Sequence, residues 1–169
     1  MDVEEAIRTR RTHKAYGPEP VDSQTLDELL ELACWAPNHN LTNPWRFRVL
    51  GPDSLIELKN AAGREQASKL DRAPTLVLSS AVLTGDQAQD REDMASAACA
   101  TYIVLLGAHA RGLASYWRTP EVLMLPEARA VLELAPGEEV LGLIHLGRPR
   151  QEKAPPERAP LTDYVTYLP

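Results

Sequence analysis

The chain has 169 residues, of which 44% are hydrophobic and 25% are charged. These proportions exclude a disordered or low-complexity chain, and the length is typical of one domain spanning residues 1–169. The formal net charge of −6 argues against nucleic acid binding through a basic surface.

The first part of the chain predicts two helices joined by an extended segment. Residues 2–10 begin with acids and end with arginines, an arrangement that complements a helix dipole. One glycine and two prolines keep residues 11–20 extended. Asp22 or Ser23 is expected to cap a second helix, which Pro37 ends.

The middle of the chain predicts a loop, a strand, a helix and a second strand. Residues 36–44 are polar and bounded by prolines, and residues 46–50 have the alternation of a strand. Residues 53–69 have a helical pattern that Gly63 weakens. Residues 74–83 are an almost continuous apolar run of β-formers, which predicts a central strand buried on both faces.

The next part predicts a long helix at residues 90–111, which Gly112 ends, and a strand at 113–117. A short helix at 126–134 and a second buried strand at 139–147 follow. Strands and helices that follow one another in this irregular order indicate an α+β protein.

No apolar run reaches the roughly 18 residues of a membrane span. Residues 94–108 come nearest, and we interpret them as a core or interface helix. The acidic N-terminus does not have the pattern of a signal peptide.

Cys34 and Cys99 have apolar neighbours and are interpreted as buried, reduced thiols of a cytoplasmic protein. The four histidines are scattered, so no metal site is expected.

The last residues differ in character from the rest. Five of the 14 prolines lie between residues 148 and 169, which prevents a long helix. Residues 164–168 are nevertheless rich in β-formers and need a partner strand. Pairing with the sheet of a second copy would satisfy them, so residues 149–169 are predicted to form an extended arm in a dimer.

A basic cluster follows the first helix. Alternate side chains of an extended backbone share a face, so Arg10, Thr12 and Lys14 are expected to point together. Guanidinium groups match phosphate geometry, and a hydroxyl can bind a sugar or phosphate oxygen. The alternative is a solvated basic turn at a helix end.

A second cluster is the amide-rich loop between Trp35 and Phe47. Loops held between rigid flanks are common places for binding groups. Trp45 and Phe47 are expected to anchor the loop in the core, because aromatic side chains are mostly buried. His39 has polar neighbours and is expected to reach solvent or a ligand.

Taken in order, these motifs resemble the nitroreductase family of FMN-dependent enzymes, and most closely its short YdjA-like branch. The matching residues run from one end of the chain to the other: Arg10-Arg11-Thr12, Ala36-Pro37, Trp45-Arg46-Phe47, residues 112–119, residues 146–149 and residues 165–168. The departures lie at Asn38, Leu41 and Asn43, where many members have Ser and an Asn-x-Gln.

The resemblance implies a homodimer with a mixed or antiparallel central sheet, flanking helices and FMN at the dimer interface. By position, Arg10, Arg11 and Thr12 would hold the phosphate and ribityl chain, and Lys14 would lie near the flavin pyrimidine. His39 would come from the partner subunit.

The resemblance also implies that Trp117, Arg118 and Thr119 run alongside the cofactor. Arg118 would be a second phosphate ligand, and Lys153 or Arg158 a third. Stacking of Trp35 on the flavin is our own interpretation and does not follow from the family pattern.

The implied activity is that of an FMN-dependent NAD(P)H oxidoreductase that reduces nitroaromatic, quinone-like or similar flat acceptors by ping-pong hydride transfer. The chemistry is the cofactor's, which agrees with the lack of a triad or paired carboxylates in the sequence. The acids at 86–93 are interpreted as a solvated helix start. The alternatives are a flavin-binding or flavin-delivery module with little turnover, and a dimeric interaction protein with a decayed site.

Overall fold

A computed structural model describes the backbone of residues 1–169 and every side chain except those at positions 64 and 65. The backbone forms five α-helices and four β-strands. In chain order these are α1 (Val3–Thr9), α2 (Ser23–Ala33), β1 (Trp45–Val49), α3 (Pro52–Leu70), β2 (Thr75–Val82), α4 (Gln87–Ala110), β3 (Ala114–Arg118), α5 (Pro126–Val131) and β4 (Glu138–Gly147).

The four strands form one antiparallel sheet in the order β1-β2-β4-β3. Seven of the eight residues of β2 are buried, which confirms the predicted central strand. Its alternate residues serve the two faces of the sheet, because successive side chains of a strand point to opposite sides. Val77 packs with residues of α2 and α4, whereas Leu78 packs with residues of α3 and α5. The fold is α+β, with helices on both faces of the sheet.

The helix ends follow local hydrogen bonding. Asp22 caps α2 by accepting from the Thr25 N–H at 2.8 Å. This helix ends at Ala33, before the predicted stop at Pro37, because the N–H groups of residues 34–36 bond three residues back and tighten the last turn. Gly63 interrupts α3 with a φ of 68°, as the sequence indicated.

Helix α4 is the long core helix of the molecule. Asp86 caps it by accepting from the N–H groups of Ala88 and Gln89, so it begins three residues before the predicted start. Its length and composition would suffice for a membrane span. It packs instead against α2 and the sheet, and Ala97 and Val104 are fully buried. The prediction of a buried core helix is confirmed.

The prediction that both cysteines are buried is wrong. Cys34 and Cys99 are free thiols on the surface. Cys34 is the C-cap residue of α2 and lies beyond the buried stripe of that helix. Cys99 lies on the outward side of α4, a helix so apolar all round that its sequence does not reveal which side faces the core.

Residues 148–169 are exposed along their whole length. The β-forming segment at 164–168 is not a strand within this chain, and only a short 3-10 turn at Leu161–Asp163 precedes it. An isolated strand is unstable in water without a partner. Exchange of this arm with a second copy stays a prediction.

Candidate functional site

The basic segment after α1 runs along the outer edge of the sheet. Thr12 forms a parallel bridge with Ser115 of β3, and the His13 N–H donates to the Ser115 carbonyl at 3.1 Å. The Lys153 ammonium donates to the Thr12 carbonyl at 2.6 Å. Residues 10–14 are therefore held between β3 and the C-terminal arm.

Two cations of the predicted site meet at one aromatic ring. The Lys14 ammonium lies 6.0 Å from the centroid of the Tyr116 ring, and the Arg118 guanidinium lies 5.9 Å from it. Both distances are within the range of a cation–π attraction. The sheet edge thus carries two positive charges beside one half-buried aromatic ring.

A cavity of about 650 Å³ lies between the end of α1, the middle of α4 and the arm. Five of its lining side chains are cationic: Arg8, Arg10, Arg11, Lys153 and Arg158. The Arg10 guanidinium lies 5.8 Å from the ring centroid of Tyr102, which lines the same cavity. So much positive charge in one place, within a chain of net charge −6, indicates an anion site.

Several polar atoms at this edge are buried without a hydrogen-bond partner. They are Nε of Arg10, Nε of Arg11 and Oγ of Ser115. Buried donors are almost always paired in proteins, so such atoms need an explanation. A ligand that brings acceptor oxygens to this edge would supply the missing partners.

Arg11 also has a structural role. Its guanidinium donates to the carbonyl of Arg8 at 2.7 Å and to the carbonyl of Arg10 at 2.6 Å. These bonds satisfy carbonyls at the C-terminus of α1, where cations are favourable. The two terminal nitrogens of Arg11 therefore bind the end of the helix, whereas an arginine that binds phosphate would usually have these nitrogens free.

The positive potential also affects two neighbouring histidines. Burial, followed by the charges of Lys153 and Arg10, lowers the pKa of His13. Burial and the charge of Arg10 likewise lower the pKa of His109, whose Nε2 lies 2.8 Å from the Thr9 hydroxyl. Both imidazoles resist protonation, first because burial disfavours the charged form and second because cations lie nearby.

Trp117 faces the core side of β3. Its indole N–H donates to the Leu141 carbonyl at 3.0 Å, and the Thr119 hydroxyl donates to the same oxygen at 3.4 Å. Gly142 leaves room for the indole, since a Cβ there would come within 2.6 Å of the Trp117 Nε1. Trp117 and Thr119 are thus fixed to β4, next to the sheet edge that carries Arg118.

The remaining predicted residues lie elsewhere in the chain. His39 lines a separate pocket of about 500 Å³ at the start of α4, together with Asp86 and Gln89. Trp35 follows α2 and is 81% exposed. Neither residue lines the cationic cavity within one chain.

Helix α4 contributes a buried carboxylate to the loop that carries His39, which the sequence analysis did not predict. Asp93 is 1% exposed, so its interpretation as part of a solvated helix start is wrong. It accepts from the Thr42 hydroxyl at 2.5 Å and from the Gln89 amide at 3.0 Å. Position 93 shares a helical face with buried Ala97 and Ala100, and this spacing could have revealed its burial.

The aromatic anchors of that loop agree with the sequence analysis. Trp45 is buried, and Phe47 is half-buried and packs against the same part of the core. His39 is exposed, also as predicted. Among the side chains that the structure describes, no group of His, Cys, Asp and Glu has an arrangement that could bind a metal ion.

Comparisons with known proteins agree with this geometry. The Nitroreductase family profile matches residues 7–79. YfhC of Bacillus subtilis, by its name a candidate NAD(P)H nitroreductase, is 27% identical over 98% of this chain and 94% of its own length. YdjA of Escherichia coli strain K12, which has the same description, is 24% identical over 99% of this chain and all of its own length.

A solved structure is similar over the whole chain. A candidate nitroreductase from Desulfovibrio desulfuricans, crystallised in complex with FMN, superposes with a TM-score of 0.80 and is 26% identical. The match covers all of this chain and 98% of that one. The matched profile, the end-to-end relatives and the shared fold make the chain similar to proteins of the nitroreductase family.

Proposed function

We propose that this protein is an FMN-dependent NAD(P)H oxidoreductase that reduces nitroaromatic, quinone-like or similar flat acceptors. The observation that carries the proposal is the cavity between α1, α4 and the arm, which five cationic side chains line and at which Arg10 Nε is buried without a partner. The names of the relatives agree with this activity, and one neighbour in structure was solved with FMN.

The residues of the cavity fit a phosphate-bearing cofactor. Arg10 and Lys153 would bind the phosphate through charge-assisted hydrogen bonds, with Arg158 at the rim. Thr12 would contribute its exposed hydroxyl to the phosphate or the ribityl chain. Arg11 would contribute through Nε, since its terminal nitrogens serve the end of α1.

The rest of the sheet edge would hold the flavin ring. When bound, FMN would supply hydride transfer between NAD(P)H and the acceptor, and the chain's residues would bind and orient it. Lys14 lies beside the Tyr116 ring and would stabilise negative charge at the pyrimidine edge of the cofactor. Arg118 lies beside the same ring and does not line the cationic cavity, so its contact with the phosphate stays a prediction. Trp117 and Thr119, both bonded to the Leu141 carbonyl, give this edge a fixed surface.

The complete site would need two chains. His39 and Trp35 lie apart from the cationic cavity within one chain, and Trp35 is 81% exposed. A second copy would bring these residues to the open side of the cofactor, and the arm at 149–169 would cross to the partner. We propose such a homodimer, working in the cytoplasm, where Cys34 and Cys99 would stay reduced.

A visible absorption spectrum tests the proposal. The purified protein is mixed with FMN and desalted, and NADPH and then NADH are added under nitrogen. We expect a retained flavin band that bleaches within seconds and returns when a quinone or nitroaromatic is added. A retained band that does not bleach would favour a flavin-binding module. Loss of the flavin on desalting would contradict the proposal at its first step.

A further inference from the structure

The loop between α2 and β1 has a backbone conformation that its own residues do not favour. Asn40, Leu41 and Asn43 have φ angles of 56°, 52° and 49°. Asparagine adopts positive φ fairly readily, but leucine does so rarely. Such a conformation persists only where surrounding contacts determine it. Two side-chain bonds within the loop contribute, from Asn38 to Asn43 Oδ1 and from Asn43 to the Leu41 carbonyl, and contacts from outside the loop add to them.

Those contacts come from the first turns of α4. The Thr42 hydroxyl donates to Asp93 Oδ1 at 2.5 Å, and the Gln89 amide donates to the same oxygen at 3.0 Å. Asn40 in turn donates its side-chain amide to Gln89 Oε1 at 3.1 Å. Residues on both sides of Leu41 are thus tied to one face of the helix.

Asp93 is an unusual residue for its position. It is 1% exposed, its Oδ2 has no hydrogen-bond partner, and none of the described side chains forms an ion pair with it. Burial of a carboxylate is unfavourable unless hydrogen bonds compensate for the lost hydration. The same helical face continues with Ala97 and Ala100, so packing alone would be served by a small apolar residue. The hydrogen bond to Thr42 of the loop explains why a carboxylate stands at this buried position.

We propose that Asp93 is a positioning residue for the cofactor site. Through Thr42 it holds residues 38–43 against α4, so that exposed His39 and Leu41 are presented to the flavin bound by the partner subunit. Leu41 is 77% exposed and belongs to neither hydrophobic core cluster of the described residues. This inference rests on the proposed function, but its first part, the fixing of the loop, can be tested without cofactor.

Four variants separate the roles. Thr42→Val removes the donor and keeps the shape of an exposed side chain, whereas Thr42→Ser keeps the hydroxyl. Asp93→Asn removes the buried charge. Asp90→Asn is the matched control, because it makes the same charge change one turn earlier on α4, where Asp90 accepts from the N–H groups of Thr84 and Gly85.

The first measurement is hydrogen exchange of the backbone amides of residues 38–43 in the FMN-free protein. We expect exchange to be roughly tenfold faster in Thr42→Val, which loses a bond to a charged group, and about threefold faster in Asp93→Asn, which keeps an acceptor oxygen but loses its charge. Thr42→Ser and Asp90→Asn should exchange like the wild type. Unchanged exchange in both Thr42→Val and Asp93→Asn would overturn the inference.

The second measurement is the dissociation constant for FMN. We expect Thr42→Val to raise the dissociation constant for FMN about tenfold, and Asp93→Asn to raise it as well. In a His39→Ala background either substitution should have little further effect, because the effects of residues that act through one another are not additive. Effects that add fully to those of His39→Ala would contradict a positioning role. If the wild type itself fails to retain FMN, the proposed function is wrong, and the exchange measurement still decides whether Asp93 holds the loop.

Discussion

The indole N–H of Trp117 donates to the backbone carbonyl of Leu141 across 3.0 Å. Leu141 is the residue at which β4 loses its register with β2, since Ser79 pairs with Gly142 whereas Ser80 pairs with Val140. A bulge of this kind leaves a carbonyl without a ladder partner and bends the strand. Here Trp117 in β3 and Thr119 just after it donate to that carbonyl. The bulge in β4 is thus connected to the edge of the candidate site.

Gly142→Ala should therefore damage both the fold and the site. A Cβ would come within 2.6 Å of the Trp117 Nε1, and the φ of 148° is one that side-chain-bearing residues rarely adopt. We expect a loss of about 2 kcal/mol in the free energy of unfolding, from strain and overpacking together. Thermal unfolding measures it, and Gly51→Ala, which meets nothing within 4 Å, is the control. Equal melting temperatures for the two variants would contradict this account of the bulge.

Arg10→Ala should weaken FMN binding by about tenfold to a hundredfold, the range for loss of a charge-assisted hydrogen bond. Arg10 lines the cationic cavity, and its Nε is buried without a partner. Fluorescence titration of FMN gives the dissociation constant. Arg72→Ala removes an exposed arginine that does not line this cavity and serves as the charge control. Normal flavin content in Arg10→Ala would count heavily against the assigned site.

His145→Gln should change how stability depends on pH. Burial lowers the pKa of His145 from 6.5 to about 4, and Nδ1 has no partner. The unfolded chain takes up a proton near pH 6.5 and the folded chain only near pH 4, so protons favour unfolding between these values. This residue thus contributes stability above pH 6.5 that is lost as the pH falls toward 4, at up to about 1.4 kcal/mol per pH unit.

Urea unfolding at pH 7, 6 and 5 measures this dependence. The free energy of unfolding of the wild type should fall over the series. In His145→Gln it should fall less, because this variant cannot take up the one proton that His145 binds on unfolding. An NMR titration of the imidazole is the independent check. A midpoint close to 6.5 in the folded protein would show that the ring is less shielded than its 1% exposure indicates.

Deletion of residues 159–169 should lower both dimer stability and flavin occupancy, if the arm crosses to a second copy. The segment is exposed within one chain and carries Tyr164, Tyr167 and Leu168, three large apolar side chains that are more than 70% exposed. Light scattering over a concentration series gives the dimer dissociation constant, and absorbance gives the flavin content. An equally stable and fully flavinated dimer of the shortened chain would refute the exchange of the arm.

The sequence alone was enough to predict those parts of the fold that depend on local patterns. The apolar run at 74–83 gave the central strand because burial on both faces leaves no alternation, and the kink at Gly63 followed from its backbone freedom. The burial of Asp93 and the positive φ of Leu41 were not predicted, because each depends on a contact with the other segment. The surface position of Cys99 was missed because α4 is apolar on all sides.

The candidate site was predicted in a similar way. The basic motif around Arg10 was visible in the sequence, whereas the capping role of Arg11 depends on where α1 ends. The separation of His39 from the cationic cavity could be anticipated only through the family resemblance, because spacing along the chain does not give distances between segments.

The hydrogen bond from Lys153 to the Thr12 carbonyl joins residues 141 positions apart. A ribosome needs on the order of ten to thirty seconds to add that many residues. Throughout that time the arginine-rich segment lacks the lysine and the arm that later enclose it. A nascent chain therefore cannot close the contact between Lys153 and the Thr12 carbonyl until nearly all of the intervening residues have been made.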